Sequence, residues 1–137
     1  MTATLRETFE PGLPPDDDHP YRTGIWQPQH REYDAWDMDV VGEIPDDLNG
    51  VYLRNTENPL FEPIKRYHPF DGDSMMHSIS FENGEARYAN RFIRTDGFLA
   101  EQETKHSLWA GISEHPSNAI AEYGWGCLLY TSPSPRD

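Results

Sequence analysis

Residues Tyr67–Thr95 read YHPFDGDSMMHSISFENGEARYANRFIRT, and the pair Asn83-Gly84 near the middle decides how the rest is read. Both central positions of a two-residue hairpin turn take positive φ, which Asn and Gly tolerate best. With the turn fixed there, Phe81 falls opposite Ala86, Ile79 opposite Tyr88, His77 opposite Asn90 and Met75 opposite Phe92. Side chains alternate along a strand and cross-strand partners share a side, so these eight lie on one face. The other face carries Glu82, Glu85, Ser80, Arg87, Ser78, Ala89, Met76 and Arg91 and is mostly wet. A slip of one residue would turn the apolar set into water, which specifies the register. Only the Glu82/Glu85 pair beside the turn is mildly unfavourable.

Outward from this hairpin, short strands recur between turns. Met38, Val40 and Gly42 alternate with Asp37, Asp39 and Val41, which predicts a short strand. Ile44-Pro45-Asp46-Asp47 is turn chemistry, and Leu48-Asn49-Gly50 leads into a second strand, Val51-Tyr52-Leu53-Arg54. Asn58-Pro59 and Glu62-Pro63 punctuate a loop that leads to Tyr67. Thr95-Asp96-Gly97 breaks the chain again, and Phe98–Lys105 is open between strand and short helix. The pattern predicts an all-β fold of sandwich, barrel or propeller type. Residues 1–35, with Pro11, Pro14, Pro15, Pro20, Pro28 and the run Asp16-Asp17-Asp18, are expected as an extended Pro-rich arm, disordered unless something packs over it.

Composition narrows the function. The chain has 137 residues, 12 of them Pro, and a formal net charge of -13, which disfavours nucleic acid and anionic membranes, both of which need a Lys/Arg stripe. No apolar run approaches a membrane span, and the N-terminus lacks a signal-peptide layout, so a cytoplasmic protein is expected. The one cysteine, Cys127, rules out a disulfide framework or thiolate metal site. It opens the stretch Cys127–Asp137, CLLYTSPSPRD, which breaks from the preceding texture and resembles the translated adapter sequence that ends truncated reading frames. Residues 127–137 are therefore expected to be a non-native tail on a chain that is natively longer. The other reading is a genuine Ser/Pro-rich tail on a real short protein.

Candidate sites are few. Asp71-Gly72-Asp73 has the opening of a calcium loop, but Met75 and Met76 stand where an oxygen ligand and a turn glycine are needed. The Asp run beside His19 reads as a solvated charge run. His77 and His68 are metal ligands by type. However, His77 faces Asn90, which can satisfy it, and His68 precedes Pro69, which suits loop packing. His106 and His115 form no ligand spacing with them, and no nucleophile elbow or phosphate loop is present.

Three segments taken together are more specific. Ile44–Asn55 (IPDDLNGVYLRN) followed by Asn58-Pro59, His68–His77 (HPFDGDSMMH) and Asn90–Thr95 (NRFIRT) closely resemble the N-terminal part of the carotenoid cleavage oxygenase family, a group that includes the retinal pigment epithelium and lignostilbene-cleaving proteins. The likeness runs from about Val40 to Gly126. Ser74 stands where the family usually has Gly, and Thr56-Glu57 where Gly-Pro is common. Both changes concern turn geometry.

The resemblance implies that residues 36–126 form the first blade or so of a seven-bladed β-propeller. The axis of such a propeller holds Fe(II) on four histidines and inserts O₂ across a conjugated C=C bond. The four ligands follow the region present here, so none of His19, His30, His68, His77, His106 or His115 maps onto them. This chain is expected to bind no metal and to be inactive by itself. The implied partners of the whole protein are a small apolar polyene and O₂, with peripheral membrane contact an open point. Phe70 resembles an aromatic lining the substrate tunnel. Ile112 falls where stilbene-cleaving members carry a tyrosine that grips a phenol, a bond isoleucine cannot make. That tilts the expectation toward a carotenoid or apocarotenoid. The alternatives are a stilbene-cleaving member and a propeller that lost its metal and serves as a binding module.

Overall fold

The computed structural model describes residues 1–120; Cys127, the 127–137 tail and the boundary at residue 126 lie outside them. Strands β1 (Thr2–Thr8), β2 (Arg31–Trp36), β3 (Gly50–Glu57), β4 (Ser74–Glu82) and β5 (Glu85–Phe92) form one sheet in the order β1-β2-β5-β4-β3. A helix, α1 (Asp96–Thr104), follows. All four pairings are antiparallel, as an all-β fold built on hairpins requires.

The β4–β5 hairpin has the register the turn dictates, with Met75↔Phe92, His77↔Asn90, Ile79↔Tyr88 and Phe81↔Ala86. Asn83 and Gly84 take φ of 51° and 74°, the left-handed region that the two-residue turn demands. β3 adds antiparallel to β4 and starts one residue earlier, at Gly50, than the four-residue strand expected.

Phe98–Lys105 resolves as helix. Thr95, expected only as a break, is its N-cap, with its hydroxyl accepting the Phe98 N–H at 3.0 Å and so satisfying one of the four orphan donors of the first turn. The helix ends where Lys105 turns left-handed, at φ 62°.

The N-terminal arm is the main correction. Thr2–Thr8 and Arg31–Trp36 are two strands of the sheet, whereas the alternation at Met38–Gly42 forms no strand. Asp37 turns into the left-handed region at φ 51°, which ends β2 at Trp36, and Val40 and Val41 stand in solvent without partners. β2 escapes a search for apolar alternation because its inward residues are carboxylates. Glu32 and Asp34 are buried and paired with arginines: Arg94 Nη1 to Glu32 Oε1 at 2.7 Å, Arg91 Nη2 to Asp34 Oδ1 at 2.6 Å and Arg6 Nε to Asp34 Oδ2 at 2.6 Å. Burial pushes the Asp34 carboxyl up, but the Arg91 and Arg6 bonds outweigh it and leave it below its ordinary range. Arg6 reaches Asp34 from the register shift between Leu5 and Glu7, the place where a bulge re-aims a side chain.

Two asparagines stitch the arm to the hairpin. Asn90 accepts the Tyr33 N–H at 2.7 Å and donates to the Arg31 carbonyl at 2.8 Å, and so prolongs the β2–β5 ladder past Asp34↔Ala89 by side chain. Asn58 accepts the Gln29 N–H at 2.6 Å and donates to the carbonyl of the same residue. Beyond them Phe9 enters the core, edge-on to Phe92 and Phe98 with centroids 4.9 and 5.5 Å away. Leu60, Phe61 and Met75 complete the cluster.

That core is small for the surface it leaves. Val51, Tyr52 and Leu53 of the edge strand β3 are all exposed, and open apolar edges invite association. Residues 1–126 expressed alone are expected to aggregate and to show no cooperative transition in calorimetry. A sharp, reversible melt would show instead that this sheet is a domain complete in itself.

Candidate functional site

Two loops meet beyond the Met75 end of the sheet. One leads from Tyr67 into β4, and the other follows α1. Gly72 is pressed so closely against Asn58 and Pro59 that a Cβ would collide with their backbone nitrogens, and the Asn58 N–H donates to the Asp73 carbonyl at 2.8 Å. This contact turns Asp71 and Asp73 inward. With Glu101 of α1 and Tyr67 they line a cavity of about 20 Å³, room for one water-sized occupant.

The electrostatics of this cavity are unusual. Among the described residues no ion pair involves Asp71, Asp73 or Glu101, and all three are buried. Burial, with the Glu101 charge next, pushes the Asp73 carboxyl up to about 7. Burial likewise raises Glu101 to about 7 against the bond it accepts from the Leu108 N–H at 2.8 Å. Burial raises Asp71 as well, opposed by N–H bonds from Ile112 and His68, and carries the Tyr67 hydroxyl to about 12. Near neutral pH Asp73 and Glu101 are therefore poised between their protonated and ionised forms.

Phe70 and Ile112, the substrate-contact candidates, are brought to the same carboxylate. Phe70 directly precedes Asp71, is 54% exposed, and stands edge-on to the His68 ring at 5.1 Å. Its N–H donates to His68 Nδ1 at 3.2 Å. Ile112 is 48% exposed and its N–H donates to Asp71 Oδ1 at 2.8 Å. In the sequence Asp71 has only the opening of a calcium loop about it, and nothing marks it as the junction of two loops. Gly111, next to Ile112, gives the junction its room, since a Cβ there would collide with the Asp71 carboxylate.

The histidines do not converge. Among the described residues no group of three or more His, Cys, Asp or Glu is arranged to hold a metal ion, so the residues present do not fit a four-histidine iron site. His19, His68 and His115 use Nδ1 to accept nearby backbone N–H groups. His77 pairs with Asn90 in register, as expected, but the expected hydrogen bond between them is not made. Asn90 is committed to β2, and His77 instead bonds Tyr88 Oη through Nδ1 at 2.7 Å and Thr56 Oγ1 through Nε2 at 2.9 Å. Burial, then the Arg54 charge, lowers its pKa, which keeps the ring neutral.

An antiparallel sheet with loops gathered at one end is shared by many proteins; comparison with known ones narrows the field. Residues 26–132 match the model of the retinal pigment epithelial membrane protein family, and the chain belongs to that family. It is 39% identical over 96 residues to the carotenoid 9,10(9',10')-cleavage dioxygenase 1 of Phaseolus vulgaris, covering 70% of this chain and 18% of that protein. Among solved structures it resembles the lignostilbene dioxygenase of Pseudomonas brassicacearum, with TM-score 0.70, 24% identity and 82% of this chain against 24% of that one. It also resembles cobalt-substituted apocarotenoid oxygenase of Synechocystis, with TM-score 0.56, 38% identity and 63% against 18%. The sheet thus matches the N-terminal part of the propeller-type oxygenases, and the chain spans about a fifth of the relatives it matches. Among the described residues no helix is long and apolar enough to cross a membrane.

Proposed function

We propose that this chain is the N-terminal portion of a cytoplasmic, non-haem Fe(II) dioxygenase that cleaves a conjugated C=C bond of a carotenoid or apocarotenoid with O₂. The observation that carries it is family membership across residues 26–132, joined to 39% identity with a carotenoid-cleaving dioxygenase. The sheet is then about the first blade of a seven-bladed propeller. Iron, which in such enzymes activates O₂ for insertion into the polyene, is held by histidines beyond this chain. The cobalt-substituted relative supports a metal site that accepts a divalent ion.

The part this chain plays in that enzyme is apolar recognition. Phe70 and Ile112 present a ring and an aliphatic side chain to solvent, surfaces that fit a polyene and offer a phenol no hydrogen-bond partner. The lignostilbene-cleaving likeness is one of fold, and a stilbene substrate is the outcome the assay must separate.

Sequencing the source transcript across the Gly126 codon is the first test. Continuation into further strands with four spaced histidines, followed by O₂ uptake with an apocarotenal matched by aldehyde product, is the expected result. A frame that stops at Asp137, or a continued frame without those histidines, overturns the enzyme and leaves a binding module. Turnover of a hydroxystilbene with none of the apocarotenal overturns the substrate class alone.

A further inference from the structure

The two exposed side chains offered to substrate come from different loops, and one buried carboxylate joins them. Asp71 Oδ1 accepts the Ile112 N–H at 2.8 Å, while Oδ2 accepts the His68 N–H at 3.2 Å. The Asp71 N–H donates back to the His68 carbonyl at 2.9 Å, closing a tight turn with Phe70 at its crest. His68 then fixes that crest a second time, by accepting the Phe70 N–H and by its edge contact with the ring. The clasp has no slack. Asp71 is 7% exposed, the Gly111 backbone lies against its carboxylate with no space for a Cβ, and Gly72 behind it is pressed on Asn58.

We propose that Asp71 is a positioning residue for substrate selection, setting Phe70 and Ile112 at a fixed separation so that they grip the polyene as one surface. This rests on the reading above that Phe70 and Ile112 contact substrate. The chemistry requires a short carboxylate. The two N–H donors bond different oxygens, and only a group with two acceptor oxygens serves both, since an amide would turn its NH₂ toward one of them. A longer Glu side chain would meet the Gly111 backbone. Burial raises the Asp71 pKa, and the two N–H bonds, which favour the ionised form, oppose it. Glu114 makes an outer tie, its Oε1 accepting the Lys65 and Arg66 N–H groups. The loops therefore remain associated when Asp71 is replaced, and what is lost is their alignment.

The test is steady-state kinetics of the full-length enzyme on an apocarotenal, with kcat and KM determined separately and the bound iron measured. Asp71→Ala is expected to raise KM about ten- to hundredfold, as loss of a buried charged hydrogen-bonding group does, with iron content unchanged and kcat reduced much less. Asp71→Asn, which keeps one acceptor, is expected to fall between and serves if the alanine variant does not fold. Combining Asp71→Ala with Phe70→Ala should cost less than the two separate effects together, because both act through the same ring. A fall in melting temperature with KM unchanged in the Asn and Ala variants would make Asp71 merely structural and overturn the inference. If Phe70→Ala and Ile112→Ala leave KM unaltered, the substrate-contact reading fails and the inference falls with it. If those two raise KM and the Asp71 variants do not, the inference alone is wrong.

Discussion

Asn90→Leu in the complete enzyme is expected to lower folding stability by about 3 kcal/mol, as stranding two buried backbone groups does. Leucine keeps the branching and heavy-atom count of asparagine, so no cavity opens, and its bulkier methyl groups add some overpacking to the loss of the polar bonds. The Tyr33 N–H and the Arg31 carbonyl, now paired with a side chain that is 1% exposed, would face an apolar group inside a dry sheet. Urea titration should show a lower midpoint with an unchanged slope. A shift under about 1 kcal/mol would mean that Arg91, which bonds both Asp34 and the Tyr33 carbonyl, carries the β2–β5 junction instead.

The second large effect is one of pH. Asp73 and Glu101 sit at about 7 in the fold against ordinary values of 3.8 and 4.5. The native state therefore binds protons that the unfolded chain has already released. Stability from this pair is fully present below about pH 4 and is lost as pH rises through about 7, and the loss is on the order of 4 kcal/mol for the coupled pair. Melting temperature of the full-length protein should fall between pH 5.5 and 8.5. Asp73→Asn, which mimics the protonated acid, should flatten that fall and raise stability at pH 8.5. An identical slope in the variant would show that Asp73 does not titrate in this window.

What was legible in the sequence follows from locality. The hairpin could be read to the residue because its turn pair, its alternation and its partners all lie within Met75–Phe92, and the structure reproduces every cross-strand pair. β2 could not, because its inward positions are Glu32 and Asp34, which look like solvent-facing residues until Arg91 and Arg94 arrive from β5 and the segment just after it, distant in sequence but adjacent in the sheet. Phe9 was hidden in the same way. It sits beside Pro11 in an aperiodic stretch, and only the tertiary contacts with Phe92 and Phe98 make it core. At the site, the types of Phe70 and Ile112 were visible through the resemblance. The Asp71 junction between their loops was not, because it depends on a contact across α1 that no spacing in the sequence encodes.

The order of the strands has a consequence for synthesis. β2 is translated early, yet its inner neighbour is β5, so Ala35 waits for Tyr88. Until then β1 and β2 are at most an isolated two-stranded ribbon, which is marginal in water, in which Asp34 has Arg6 but neither Arg91 nor Arg94 has yet arrived. The β4–β5 hairpin, closed by its own turn, forms in microseconds once made and offers β2 an edge on which to dock. Chain addition is far slower than that, so the arm waits on the ribosome for β5 to be made before it has a partner. Substitutions at Asn90 or Glu32 should therefore act first on the yield of soluble protein, before they register in the stability of the molecules that have folded.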